Sequence, residues 1–235
     1  MFLTLDHIQR LTPDIWTFYF QPQSAFRFEA GQYIEICIPH ADPDNRGERR
    51  WMTISSAPQE PLTAITMRFT PINGSTYKAA ARQLQPGAVL YASDPIGDFV
   101  LPKDPRLPLV FITAGIGITP AYSMLQHLQH TGQQRNVHLL YAARSPRDLV
   151  FHPFLTQLPI TYTPMISQPA ADWQGLVGKL QADHIWSIVD KPHAKLFYFS
   201  GPEDLIMQLV GNLHQLGLQR SQVVLDYFPG YHNDA

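Results

Sequence analysis

Only one of the 235 residues, Cys37, is a cysteine. An intrachain disulfide is therefore impossible, as is any all-cysteine iron–sulfur or zinc site built by one chain. Charge is also scarce: Asp, Glu, Lys and Arg make up 15% of the chain, against about 25% in typical domains. The 17 basic and 19 acidic residues are scattered without blocks, so nucleic acid and anionic membrane surfaces are not expected partners. No stretch approaches the roughly 20 apolar residues of a membrane span, and the opening MFLTLDHIQRLTPD lacks the basic start and apolar core of a signal peptide. A cytoplasmic protein is expected.

What the chain does hold is 21 prolines and 45% hydrophobic residues, the composition of a folded, turn-rich protein. Its length suits one large domain or two of about 100 to 130 residues, and the pattern favours two. Residues 2–5, 16–20, 33–38, 51–55, 64–69 and 89–93 are β-branched or aromatic runs of strand length separated by Pro, Gly, Asn and Asp. They suit a small antiparallel barrel with one short helix, 77–84, ending at Pro86-Gly87. Three prolines in seven residues, Pro102 to Pro108, cannot continue a ladder and read as a linker. This predicts domains 1–104 and 105–235. In the second, strands at 109–114, 137–143, 160–165, 196–200 and 223–227 alternate with helices at 120–129, 147–158, 177–185 and 203–216. That alternation predicts an α/β doubly wound parallel sheet.

Five segments carry candidate chemistry. In 111-FITAGIGITP-120 a buried strand containing Thr113 runs into Gly115 and Gly117, with Thr119 suited to a helix N-cap and Pro120 to the first helical position. Glycines admit a ligand close to the backbone and free amides at a helix start attract a diphosphate, although the same pattern also serves as a tight turn. A second strand, 199-FSGPEDLIMQL-209, turns at Ser200-Gly201-Pro202 into an acid-rich helix. Between them Arg144, Ser145 and Arg147 offer guanidinium and hydroxyl donors suited to a phosphate, or form a solvated basic loop. In the first half, 49-RRWMTISSAP-58 places Arg50 and Thr53 on one strand, and 73-NGSTYK-78 sets Gly74, Ser75 and Thr76 ahead of a helix. His127 and His130 lie one helical turn apart without a third ligand nearby, so no metal site is expected.

In this order the segments resemble the ferredoxin:NADP reductase superfamily, in which a flavin-binding Greek-key barrel precedes a nicotinamide-nucleotide domain. The resemblance runs from about Phe18 to Tyr231. The family's Arg-x-Tyr-Ser/Thr-x-x-Ser strand reads Arg50-Trp51-Met52-Thr53-Ile54-Ser55-Ser56 here, which implies that Arg50 grips the flavin phosphate and Thr53 faces the flavin N5 region. Gly74-Ser75-Thr76 stands in the place of the second phosphate loop and 94-DPIGDF-99 in that of the Pro-x-Gly-x-Phe turn. ITAGIGITP resembles the nicotinamide-nucleotide loop, and 141-YAARS-145 the adenosine-side segment. Ser200-Gly201-Pro202 occupies the place of a Cys-Gly-Pro beside the nicotinamide, and Asp226 that of an acidic group near it. Met52 and Ser200 depart from the family's tyrosine and cysteine. Tyr231, then Phe228, are the candidates for a C-terminal aromatic returning across the flavin.

The resemblance implies a flavoprotein that binds FAD and takes hydride from NADPH or NADH, meeting at the cleft between the domains. No iron–sulfur cluster is expected, so electrons pass from the flavin to an acceptor protein or a small acceptor. Thr53, Ser200 and Asp226 are the expected catalytic positions. NADPH is expected over NADH, because positions 142–147 hold no acid to bind a bare ribose. Two alternatives remain: a reductase of free flavin or ferric iron, and a non-catalytic electron-transfer or regulatory subunit.

Overall fold

A computed structural model describes residues 1–69 and 75–226 of the chain. Its contacts divide into two units, residues 1–101 with 122–130, and residues 102–121 with 131–235. The division falls at Leu101/Pro102, three residues before the boundary expected from the proline-rich linker, because Arg135 donates to the Pro102 and Asp104 carbonyls and ties that segment to the second unit.

The strands of the first unit are β1 (Phe2–Arg10), β2 (Ile15–Pro22), β3 (Tyr33–Cys37), β4 (Arg49–Thr53), β5 (Thr63–Arg68) and β6 (Val89–Ala92); burial alternates along β3 and β6, whereas β5 is buried along nearly its whole length. They pair antiparallel in the order β4-β3-β6-β1-β2-β5. The two outermost strands then meet through an Ile54–Ile65 bridge and a 2.8 Å bond from the Ser55 amide to the Ala64 carbonyl. Leu3, Leu5, Phe18, Phe20, Ile34, Ile36, Ile54 and Ile65 fill the interior, with Tyr77 of the short helix α1 (Thr76–Arg82) among them.

The second unit follows the predicted alternation. Its strands are β7 (Leu109–Ala114), β8 (Val137–Ala143), β9 (Thr161–Ile166), β10 (Leu176–Val177), β11 (Leu196–Ser200) and β12 (Val223–Leu225), all parallel, in the order β10-β9-β8-β7-β11-β12. Every residue of β7 is buried, as a central parallel strand covered on both faces requires. The helices between these strands are α2 (Ile118–Thr131), whose residues 122–130 group with the first unit, α3 (His152–Leu155), α4 (Ala182–Ile188) and α5 (Glu203–Gln215). Helix α5 buries Ile206, Leu209, Val210 and Leu213. It stops where Gly217 takes φ +106° and the Leu218 and Gly217 amides bond back to the Leu213 and His214 carbonyls.

Two expected helices are corrected. Residues 147–158 do not run as one helix: a tight turn at Pro146–Asp148 ends, Phe151 takes φ +65°, and helix resumes only over His152–Leu155, with Pro153 in its first turn. Residues 177–185 also divide, because Leu176–Val177 pairs with β9, Gly178 takes φ +144°, and α4 starts at Ala182.

Candidate functional site

In the parallel sheet the chain winds outward from β7 through β8 and β9 to β10 on one side, and from β11 to β12 on the other. The carboxyl ends of β7 and β11 therefore flank the switch point, where open α/β sheets bind ligands. Both strands end there in register, Thr113 opposite Ser200. Beyond them the two turns touch backbone to backbone: a Cβ on Gly117 would lie 2.5 Å from the Ser200 carbonyl oxygen and 2.6 Å from the Gly201 nitrogen. Gly115 takes φ +57° to enter the turn, and a Cβ on Gly201 would lie 2.9 Å from that of Ala114. Only glycine fits this crossing, and it leaves the start of α2 as bare backbone with no acid in its first turn, whereas α5 opens with Glu203 and Asp204. A diphosphate is thus favoured at α2 and opposed at α5.

Ser200 is buried and donates its hydroxyl to Asp226 Oδ2 at 2.6 Å. The other carboxylate oxygen, Oδ1, is buried and has no hydrogen-bond partner among the described residues. Burial pushes the Asp226 carboxyl up to about 7, against the downward pull of the Ser200 hydroxyl. The structure thus joins, across 26 residues of sequence, two positions expected at the nicotinamide. Thr113 is buried with its hydroxyl toward the Leu140 carbonyl, at 3.4 Å. Thr119 is not an N-cap: α2 already starts at Ile118, and the Thr119 hydroxyl donates back to the Ile116 carbonyl at 3.1 Å. Pro120 lies buried in the helix's first turn rather than at its first residue, and Pro202 caps α5 from an exposed position.

Along the same sheet, Arg144, Ser145 and Arg147 follow β8 as expected, and the structure adds Asp148 to them. Ser145 Oγ donates to Asp148 Oδ2 at 2.8 Å, and the Arg144 guanidinium lies 3.4 Å from Asp148 Oδ1. The Asp148 side chain is 5% exposed, that of Arg144 58%.

In the first unit Arg50 is buried on β4, and its guanidinium is shared among the carbonyls of Arg46, Gly47 and Arg49 and the carboxylate of Asp44, all at 2.7 to 2.8 Å. Ser75 Oγ stands 3.5 Å from the same guanidinium, and the Tyr77 ring lies beneath it. Burial, and then the cations of Arg46, Arg68 and Arg50, hold the Lys78 ammonium below the usual lysine range. Asp44 is pushed up by burial but held below the usual carboxylate range by the Arg46 amide and the Arg50 guanidinium. Arg46 and Arg50 thus act on both Asp44 and Lys78, and a cluster with this excess of positive charge fits a phosphate. Thr76 turns its hydroxyl to the Asp44 amide (2.9 Å) and His40 Nε2 (3.0 Å).

Met52 and Ser56 have structural positions instead of open ones. Met52 joins the buried cluster of the first unit, and Ser56 Oγ accepts from the Ala64 amide while its carbonyl accepts from Ser123. Thr53 is buried beside Tyr33 in the β3–β4 register, and Trp51 sets its ring edge-on to Tyr33 at 5.4 Å. The Tyr33 ring in turn lies against Gly97, where a Cβ would meet it at 2.7 Å. Tyr33 and Asp44 were not singled out from the sequence, since neither sits in a motif. Gly74, Phe228 and Tyr231 lie outside the described residues. Among the described residues no three of His, Cys, Asp and Glu group as metal ligands, and no helix is long and apolar enough to cross a membrane.

Residues 111–210 match the model of the oxidoreductase NAD-binding domain family. A flavohemoprotein of Bacillus cereus is 27% identical over 91% of this chain and 57% of its own length. The ferredoxin–NADP reductase B of Sorangium cellulosum is 30% identical over 67% of this chain and 65% of its own. The chain thus spans a little over half to about two thirds of these relatives. Among solved structures, the flavohem-like FAD/NAD binding domain of nitric oxide dioxygenase from Vibrio cholerae superposes with a TM-score of 0.83 over 97% of this chain and 98% of its own, at 22% identity. Residues 111–210 thus match the oxidoreductase NAD-binding domain family, and the chain, with one antiparallel and one parallel sheet, is similar in fold to the FAD/NAD-binding reductase domains.

Proposed function

We propose that this chain is a flavin-dependent oxidoreductase that takes hydride from NADH or NADPH onto bound FAD and passes the electrons to a protein or small-molecule acceptor. In this reading residues 1–104 form a Greek-key flavin barrel and residues 105–235 a doubly wound nucleotide domain. The observation that carries it is the crossing of Gly117 over Ser200 and Gly201 at the switch point, with Asp226 Oδ1, which has no partner among the described residues, beside it. Backbone bared by two glycines, a helix start free of acids and an orphan carboxyl oxygen fit a diphosphate joined to a planar amide-bearing ring.

Bound FAD would supply a ring able to accept two electrons as hydride and release them one at a time. The protein's part is binding and placement. Arg50, Ser75, Thr76 and Lys78 hold the flavin phosphates, with Arg50 exchanging the Asp44 carboxylate for a phosphate. Gly74 belongs to the same segment by sequence. Thr53, with Trp51 at its side, lies at the flavin ring. The amides from Gly115 to Thr119 hold the nucleotide diphosphate. Ser200 and Asp226 hold the nicotinamide edge, where the elevated Asp226 carboxyl keeps a proton available near neutral pH.

The test is reconstitution. FAD added to the purified chain should bind at one per chain with quenching of its fluorescence, and a reduced nicotinamide nucleotide added without oxygen should bleach the flavin band. Failure to retain FAD while still reducing it in turnover would point to a free-flavin reductase, and retention without bleaching to a non-catalytic subunit.

A further inference from the structure

The turn after β8 carries a carboxylate where a donor-only clamp is expected. Asp148 is fixed on all sides: its amide donates to the Ser145 carbonyl at 3.0 Å, its carbonyl accepts from the buried Tyr141 hydroxyl at 3.2 Å, and its side chain is 5% exposed. The neighbouring backbone is pinned as well, since the Ser167 and Gln168 amides bond to the carbonyls of Ala143 and Arg144. The carboxylate is therefore held in place at this turn by the fold around it.

Its effect on Ser145 follows from proton count. A hydroxyl has one proton to donate and two lone pairs to accept with. Ser145 spends its proton on Asp148 Oδ2, so toward a ligand it presents lone pairs. Lone pairs accept from a ribose hydroxyl and repel a phosphate, which has only acceptor oxygens at neutral pH. Arg144, half-exposed, has part of its charge answered by the same carboxylate at 3.4 Å. A phosphate seated on Ser145 and Arg144 would share both heads with an anion already there.

We propose that Asp148, acting through Ser145, selects the nicotinamide nucleotide with a bare 2′-hydroxyl, so that the chain uses NADH and discriminates against the 2′-phosphate of NADPH. Asp148 is a positioning residue and Ser145 the group that touches the ribose. The inference rests on the nucleotide-site reading above and reverses the preference expected from the sequence, where positions 142–147 hold no acid and Asp148, the next residue, reaches the ribose only if the loop folds to bring it there.

Calorimetric titration of the flavin-loaded protein with NAD⁺ and NADP⁺, with kcat and KM measured for both reduced forms, tests it. NAD⁺ should bind at least about tenfold tighter than NADP⁺, with the difference in KM and not in kcat. Asp148→Asn should shrink that ratio about tenfold or more, mainly by tightening NADP⁺. Ser145→Ala, at a half-buried position outside any helix or strand, provides a second variant should Asp148→Asn fail to fold; it should weaken NAD⁺ by about three- to tenfold and leave NADP⁺ unchanged or tighter. NADP⁺ binding as tightly as NAD⁺ to the unaltered protein, or weakening in Ser145→Ala, overturns the inference while leaving the nucleotide site intact. Binding of neither nucleotide overturns the site itself.

Discussion

The Asp226 carboxyl makes folding stability depend on pH in a direction opposite to that of an ordinary surface acid. Its ordinary value is 3.8, and burial lifts it to about 7 in the folded chain. Between those limits the folded protein holds a proton that the unfolded chain has released. Its contribution is therefore complete below pH 4 and is lost as pH rises through 7. The interval from 3.8 to about 7, at about 1.4 kcal/mol per pH unit, amounts to about 4 kcal/mol at full ionisation. Asp226→Asn keeps the size and an oxygen to accept from Ser200 while removing the titration. Urea unfolding of both proteins without nucleotide should then give nearly equal stabilities below pH 4, an advantage for the variant that widens between pH 4 and 7, and a level difference of about 4 kcal/mol from pH 8 upward. A difference that stays constant between pH 4 and 8 would mean Asp226 is not buried as an acid, and would remove it from the proposed proton-holding role.

Three further outcomes follow from other parts of the molecule. Gly117→Ala places a methyl 2.5 Å from the Ser200 carbonyl, so nucleotide KM should rise at least about tenfold while bound flavin and its spectrum persist; loss of flavin instead would contradict the assignment of the two units. Arg50→Ala removes a buried guanidinium from three carbonyls and a carboxylate, and should weaken FAD binding by about 10- to 150-fold and lower stability by about 2 to 4 kcal/mol, measured by fluorescence titration and denaturation. Unchanged FAD affinity would release Arg50 from the phosphate. His138 is buried against Thr163, and burial followed by the Lys195 charge lowers its titration, so stability should fall as pH drops below about 6.5; a His138→Gln variant should lack that component in acid unfolding scans.

The sequence is most informative where local chemistry and tertiary packing agree. The alternation after Pro108, the Gly115 and Gly117 turn and the stop of α5 at Gly217 all depend on backbone freedom or periodicity within a few residues, and such signals survive without knowledge of the rest of the fold. The stretch 147–158 misleads because DLVFHPFL has helical apolar spacing, while the side chain of Asp148 and the hydroxyl of Tyr141 hold the turn in another path. In the site, Arg50 reads as a phosphate ligand because its type and strand position are visible, yet the Asp44 carboxylate that occupies it comes from a loop without any motif. The Ser200–Asp226 pair illustrates the same limit: both residues were singled out, but only the parallel pairing of β11 with β12 makes them partners.

The bond from Ser55 to Ala64 also bears on how this chain behaves in crowded solution. A row of unpaired amides and carbonyls on an outer strand is a template on which other chains add strands, and the first sheet lacks one where its outer strands join. The second sheet stays open, its strand order ending at β10 on one side and β12 on the other. Its outermost members, however, are two residues long at Leu176–Val177 and three at Val223–Leu225. A neighbouring molecule would find a ladder too short to extend, so self-association through sheet edges is suppressed in both halves by two different means, closure in one and brevity in the other.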